Sequence, residues 1–219
     1  MKSTKIPGVF KEGKQFYTIN PEYCKGKKVY NEKIKRIKGV EYRSWNPYRS
    51  KFSSALINGI EIEIKDNYNI LYLGAATGTT VSHFSDILTN GTIYAVENSP
   101  VSMKKLLELT KIRKNIVPIF NDAFHPDRYI TIVPKVDLIY QDISQRNQAE
   151  IFNVNIEKYL KPEQKAIIMV KARSIDVSLP PKKAIQKVIT HLEEKHVKII
   201  DNINLAPYEK DHAAIIVST

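Results

Sequence analysis

In the second half of this 219-residue chain, three polar residues sit at the ends of apolar runs. Asp142 closes D-L-I-Y-Q-D, Lys171 closes A-I-I-M-V-K, and His212 precedes A-A-I-I-V. An apolar run that stops at one charge reads as a buried strand with that charge at the sheet rim. A lysine partly withdrawn from water at such a rim gives up its proton more readily than a solvated one and can serve as a base. A hydroxyl is a poor nucleophile until its proton is taken. Asp142 is expected to orient Lys171 and to offset positive charge on a bound ligand. His212 is expected to orient the substrate hydroxyl or to share the proton work.

A second constellation lies upstream, in I-L-Y-L-G-A-A-T-G-T-T, residues 70 to 80. The run from Ile70 to Leu73 reads as a buried strand that breaks at Gly74 and Gly78 before a helix opens at Thr79. Glu97 ends the next apolar run, I-Y-A-V-E. A glycine turn opening a helix, followed by an acid at the end of the next strand, is a nucleoside-binding arrangement. The glycines admit close backbone approach, and the acid holds ribose hydroxyls. Ligands in such sheets sit beyond the carboxyl ends of the strands, where strand order reverses. That places Gly74, Ala75, Ala76, Thr77, Gly78, Thr79 and Thr80 around the ligand, with Asp122 and Ala123 toward the adenine edge. The spacing is G-x-x-x-G rather than G-x-G-x-x-G. A pyrophosphate demands very close backbone at a helix N-terminus, whereas a sulfonium cofactor carries no phosphate and tolerates Ala at the middle position. The expected ligand is S-adenosylmethionine, and the expected acceptor is a ribose 2′-hydroxyl.

Other chemistries fit less well. Methylation at C5 of a base wants a cysteine nucleophile, and Cys24 is the single cysteine, far from these runs. Amino-group methylation commonly uses an Asn/Asp-Pro-Pro-aromatic turn, where this chain reads Q-D-I-S-Q. A nucleotide-dependent oxidoreductase with Lys171 as proton donor would want the missing glycine pattern. A structural subunit of an RNA particle, keeping the fold without the chemistry, is the non-enzymatic alternative; Asp142, Lys171 and His212 together argue against it.

The elements that must carry these residues alternate. Strands are expected at 70–73, 92–97, 116–120, 136–141, 165–171, 197–203 and 213–218, and helices near 79–89, 100–113, 147–160 and 181–195. Alternation predicts a parallel sheet with helices on both faces. Only L-A-P-Y-E-K-D-H separates the last two strands, so they should pair antiparallel. The expected fold is therefore α/β, a Rossmann-like seven-stranded sheet of the kind common to S-adenosylmethionine-dependent methyltransferases. Residues 1–52 form a small basic β-rich N-terminal domain in this reading, with strands at V-F, Q-F-Y-T-I and K-K-V-Y, and 53–219 form the methyltransferase domain. The small domain is too poor in apolar residues to stand alone and should lean on the larger one. The segment W-N-P-Y-R-S-K, 45 to 51, reads as an extended link, with a helix starting near Ser53.

Net charge is +11 and is unevenly spread. Residues 1–51 hold fourteen Lys and Arg against four Glu, a net +10; residues 52–219 hold twenty against nineteen acids, a net +1. Such clustering points to a polyanion, nucleic acid above all. One cysteine excludes an intrachain disulfide, and no Cys/His cluster has zinc-site spacing, so no metal is expected. No apolar run is long enough to cross a membrane, and M-K-S-T-K-I-P-G lacks a signal-peptide core. A soluble intracellular protein is the expectation.

Several segments, taken together, resemble the fibrillarin family of ribose 2′-O-methyltransferases of box C/D ribonucleoproteins. They are W-N-P-Y-R-S-K, L-Y-L-G-A-A-T-G-T-T-V-S-H, Y-A-V-E, D-A-F-H-P, Y-Q-D-I-S-Q, I-M-V-K-A-R-S-I-D and P-Y-E-K-D-H-A. The resemblance implies S-adenosylmethionine contacts at Thr79, Thr80, Glu97, Asn98, Asp122, Ala123, Asp142 and Gln145. It also implies a Lys-Asp-Lys-His catalytic set matching Lys51, Asp142, Lys171 and His212, with Glu209 as rival for the fourth role. Spacing alone does not single out Lys51. Implied partners are a box C/D guide RNA, substrate rRNA or tRNA, a Nop-family scaffold protein, and a small kink-turn-binding protein of ribosomal type. Fibrillarins of eukaryotes begin with a long Gly/Arg-rich tail; this sequence has eight glycines and no such tract. The likeness is thus to the shorter archaeal form, which implies a cytoplasmic address, or a nucleolar one for a eukaryotic chain lacking its tail.

Overall fold

Runs such as Ile70–Leu73 and Ala166–Val170, buried at every position, need cover on both faces, and the chain supplies it. The computed structural model describes residues 1–219. An N-terminal antiparallel sheet contains β1 (Lys2–Ser3), β2 (Val9–Glu12), β3 (Gln15–Ile19), β4 (Ile34–Ile37) and β5 (Val40–Trp45), in the order β1-β2-β3-β5-β4. Helix α1 (Lys51–Ile57) follows, and the alternating region runs β6 (Ile70–Leu73), α2 (Thr79–Ile87), β7 (Ile93–Glu97), α3 (Pro100–Thr110) and β8 (Ile116–Phe120). It continues through β9 (Val136–Gln141), α4 (Gln148–Tyr159), β10 (Leu160–Lys171), α5 (Ala172–Ile175), α6 (Pro181–Glu194), β11 (Lys198–Asn204) and β12 (His212–Ser218).

The second sheet has seven strands in the order β11-β12-β10-β9-β6-β7-β8. Strands β10, β9, β6, β7 and β8 are parallel, while β12 runs antiparallel to both β10 and β11. This is the seven-stranded methyltransferase sheet with its terminal hairpin. Order reverses between β6 and β9, so a crevice opens beyond their carboxyl ends. Side chains alternate across the sheet as a period of two requires. Ile70, Tyr72, Ile167 and Met169 join one apolar layer with Val81, Phe84 and Trp45. Leu71, Leu73, Ile168 and Val170 join the other with Phe152, Val188 and Leu192. The small sheet has no separate core: Ile6, Val9, Phe16 and Trp45 lie in the first layer with Phe52 and Phe84.

A buried polar network fixes that sheet to α2. Arg43 is fully buried; its Nε meets Glu32 Oε1 at 2.7 Å, its Nη1 meets Asp86 Oδ2 at 2.6 Å, and its Nη2 donates to Ser82 Oγ at 2.9 Å. Arg113 closes on the other oxygen of Asp86. Thr18 donates its hydroxyl to Asp86 at 2.7 Å and must therefore accept from His83 Nδ1 at 2.8 Å. His83 Nε2 is left as acceptor for the Tyr30 hydroxyl at 2.6 Å. That pattern needs a neutral ring, and burial first, then Arg43 and Arg113, holds the His83 pKa well below its usual value. Unfolding lets His83 take up a proton below its ordinary pKa of 6.5. Its contribution is therefore intact above that pH and is lost as pH falls below it. Urea unfolding at pH 5.5 should give a stability roughly 1 kcal/mol lower than at pH 7 from this group alone. The difference should shrink by that amount in His83→Gln; an unchanged difference would remove His83 as its source.

Several sequence expectations differ from the structure in the N-terminal quarter. K-K-V-Y is not a strand; residues 22–24 form a 3-10 turn and the chain stays irregular until β4. Strands β4 and β5 lie where no strand was expected. W-N-P-Y-R-S-K is a turn over 47–49, with the Arg49 N–H on the Asn46 carbonyl, rather than an extended link. Helix α1 starts at Lys51, because Ser50 is its N-cap and accepts from the Ser53 N–H. Downstream, β10 begins at Leu160 rather than 165, with a register irregularity before Lys165, and the one-turn helix α5 follows Lys171. No helix is long and apolar enough to cross a membrane.

Candidate active site

Gly74 directly follows β6 beside Asp142, which directly follows β9, and the Asp142 N–H donates to the Leu73 carbonyl at 2.9 Å. The two strand ends approach so closely that a Cβ on Gly74 would stand 2.5 Å from the Asp142 carbonyl oxygen, and the residue has φ +82°. Only glycine fits both conditions. Beyond it the chain crosses Ala76 and reaches Gly78, the left-handed N-cap of α2.

A cleft of about 320 Å³ opens over this turn. Of the residues expected to hold a nucleoside, Gly74, Ala76, Glu97, Asn98, Asp122, Ala123, Asp142 and Gln145 line it. Ala75, Thr77, Gly78, Thr79 and Thr80 do not. Ala75 is buried, its N–H on the Val96 carbonyl, and the Thr80 hydroxyl is engaged with Ser50 at 2.9 Å. Thr79 is the first residue of α2. Asn121, Ile143 and Ser144 also line the cleft; they were not singled out, although each flanks or closely follows an acid that was.

Three carboxylates, on Glu97, Asp122 and Asp142, face this cleft, and no Lys, Arg or His lines it. Glu97 is buried and rigidly held: Oε2 accepts from the Ala76 N–H and Oε1 from the Ser99 N–H, both at 2.7 Å. Each oxygen keeps a second lone pair for a diol. Asp122 is oriented by the Phe124 N–H at 2.9 Å. Such a set of carboxylate acceptors repels a pyrophosphate and suits a cationic nucleoside.

Lys51 reaches the same rim from far upstream. Its Nζ meets Asp142 Oδ1 at 2.7 Å, with both side chains largely covered. Ser50 aims it: the Ser50 hydroxyl takes the Trp45 indole N–H at 2.9 Å and bonds Thr80, fixing the first turn of α1 between β5 and α2. The expected contact between Asp142 and Lys171 is absent; the ion pair of Asp142 is with Lys51. Lys171 is half-buried at the end of β10, its N–H on Gln148 Oε1, and stands directly across from His212 in the antiparallel β10–β12 register. His212 is nearly buried, and its Nδ1 lies 2.7 Å from the Lys210 carbonyl. A carbonyl only accepts, so Nδ1 carries the proton and Nε2 is the free nitrogen. Glu209 Oε2 lies 3.9 Å from the same ring. An edge-to-face contact of Tyr48 with Tyr208, centroids 5.3 Å apart, joins the turn before Lys51 to the loop bearing Glu209. No group of His, Cys, Asp and Glu is disposed to hold a metal ion.

The fibrillarin family model matches residues 1–219 of the chain. The chain belongs to the fibrillarin family. A relative from Methanothermobacter thermautotrophicus, a fibrillarin-like rRNA/tRNA 2′-O-methyltransferase, is 43% identical over 213 residues, covering 97% of this chain and 94% of the relative. Aeropyrum pernix fibrillarin, solved with natively bound S-adenosyl-L-methionine, is 41% identical with a TM-score of 0.85, covering 93% of this chain and 88% of that one. A fibrillarin solved in complex with Nop5p matches with a TM-score of 0.89 at 41% identity, covering 100% of this chain and 99% of that one.

Proposed function

We propose that this chain is an S-adenosylmethionine-dependent RNA methyltransferase that modifies ribose 2′-hydroxyls of rRNA and tRNA as the catalytic subunit of a box C/D ribonucleoprotein. The observation that carries the reading is the charge of the cleft: three acids, no cation, and a bound Glu97 carboxylate with lone pairs to spare. S-adenosylmethionine supplies a methyl group on a positively charged sulfur. Glu97 holds the ribose diol, Asp122 and Ala123 meet the adenine, and Asn98 and Gln145 complete the cleft wall. Asp142 places a carboxylate beside the cationic end and keeps Lys51 at the rim.

Lys171 has no carboxylate partner within ion-pair distance, and it is the group assigned to take the proton of the 2′-hydroxyl. His212, its Nδ1 proton spent on Lys210, offers Nε2 to orient that hydroxyl or relay the proton. Glu209 stands close enough to share that role. Methyl transfer is an in-line displacement, so holding the reacting atoms in place contributes much of the rate.

The partners follow the same reading. A Nop-family scaffold carries the enzyme, a kink-turn-binding protein anchors the scaffold, and a guide RNA selects the nucleotide. Residues 52–219 are nearly neutral at +1 and so carry little of the phosphate affinity of a self-sufficient RNA binder. The test is methyl transfer from labelled S-adenosylmethionine in the reconstituted particle, with products mapped as alkali-resistant linkages. Guide-dependent 2′-O-methylation is expected. A well-assembled particle that binds the cofactor yet transfers nothing would favour a structural subunit. Failure to bind the cofactor would undo the nucleoside-site reading itself.

A further inference from the structure

Behind the glycine turn lies a second cleft, of about 480 Å³, of opposite charge. Lys27, Lys28, Arg49 and Lys105 converge on it from three parts of the chain: the irregular segment after the 3-10 turn, the 47–49 turn and helix α3. All four are exposed, and none takes part in an ion pair. The single carboxylate on the wall, Glu108, is held by Lys111 at 2.7 Å. Arg113, at the floor, is spent on Asp86. Four unpaired cations in one concavity leave a strong positive field that nothing in the chain neutralises.

We propose that this cleft holds phosphodiester groups of the RNA strand being methylated, next to the target ribose. The inference rests on the methyltransferase reading and adds the path of the substrate. Position supports it: Thr77 lines the basic cleft while Gly74 and Ala76, in the same turn, line the acidic one. Arg49 precedes Lys51 by two residues, so their Cα atoms lie within about 7.6 Å. One turn thus separates a wall suited to a sulfonium cation from a wall suited to a polyanion, and a strand presenting its 2′-hydroxyl at the Lys51–Asp142 rim has neighbouring phosphates within reach of the cations. A protein partner is the poorer occupant. Interface cores are depleted in lysine and rich in aromatics, whereas the free groups here are mainly lysines around a shallow apolar floor of Val29, Leu109 and Ile112.

The test combines K27A, K28A and K105A, which touch neither the acidic cleft nor the catalytic rim. Binding of fluorescent substrate RNA to the assembled particle is measured between 50 and about 200 mM salt, alongside KM for RNA, KM for S-adenosylmethionine and kcat. Losing three phosphate contacts should flatten the plot of log affinity against log salt by about 2. The RNA KM should rise at least about ten-fold at low salt, with the cofactor KM and kcat at saturating RNA unchanged. An unchanged slope and RNA KM in an active triple variant would overturn the proposal. So would an unchanged slope with weaker capture of the scaffold protein in the absence of RNA, which would make an acidic protein surface the occupant. If wild type binds RNA with the lysine-dependent slope but transfers no methyl group, the cleft stands and the proposed activity fails.

Discussion

Lys171→Met is expected to lower kcat for methyl transfer by roughly 10²- to 10⁴-fold, the usual contribution of a positioned general base. Methionine keeps the length and apolar stem and removes only the nitrogen, so packing at the end of β10 should survive. Two lysines are candidates for the base of the proposed reaction, and the structure distinguishes them. Lys51 is committed to an ion pair with Asp142 at 2.7 Å. Lys171 has no such partner and faces His212 across the strand pair. The decisive measurement is single-turnover methyl transfer from pH 6 to 9 in the assembled particle. The variant should be slow throughout, with cofactor binding by calorimetry within about two-fold of wild type. A variant within ten-fold of wild type across that range would pass the base role to another group.

Strands such as Ile70–Leu73 and Ile116–Phe120 were legible to the residue, because a buried parallel strand is an apolar run bounded by its own terminators. The acids of the cofactor cleft were legible for a related reason: each ends or closely follows such a run, so sheet geometry alone puts Glu97, Asp122 and Asp142 at one rim. The N-terminal sheet was not, and β5 shows why. Its inward positions are Glu41, Arg43 and Trp45, while Val40 is exposed and Tyr42 only half-buried. Alternation read from hydrophobicity is inverted when the buried face carries an ion network. Burial is hidden from a charge count as well: Arg43 and Glu32 enter the tally for residues 1–51 as if solvated, yet both are interior, where with Asp86 and Arg113 they sum to zero. Lys51 had no local signal either. Its partner lies 91 residues away, and only the resemblance pointed to it. The pairing of Asp142 with Lys51 rather than Lys171 depends on where the Ser50 cap sets the first turn of α1, and no single-strand pattern encodes that.

Asp86→Asn is expected to produce the largest loss of stability of any conservative change in this chain. Its carboxylate binds Arg43 and Arg113 and accepts the Thr18 hydroxyl, all out of contact with water. An amide is nearly the same shape, but it carries no charge, and its NH2 group would be set against a guanidinium, which only donates. Glu32 would then be the one carboxylate left on Arg43, and Arg113 would keep none. Removing one partner of a buried ion network typically costs about 3–5 kcal/mol, because the remaining charge has already given up its hydration. Total stabilities are of the order of 5–15 kcal/mol, so the change consumes a large fraction of the whole. At about 2–4 °C per kcal/mol for a chain of this size, melting should fall by roughly 10 °C. The damage should spread toward the site, since Thr18, His83 and Arg43 hold the small sheet on α2 and Trp45 at the end of β5 holds Ser50. Hydrogen exchange should therefore quicken first in β3, β5 and the first turn of α1, ahead of β6 and β9. The measurement is urea unfolding at pH 7 together with exchange rates in those strands. A loss under about 1 kcal/mol would mean that water reaches Asp86 and that apolar packing against Trp45, Phe52 and Phe84 is what fixes the two sheets together.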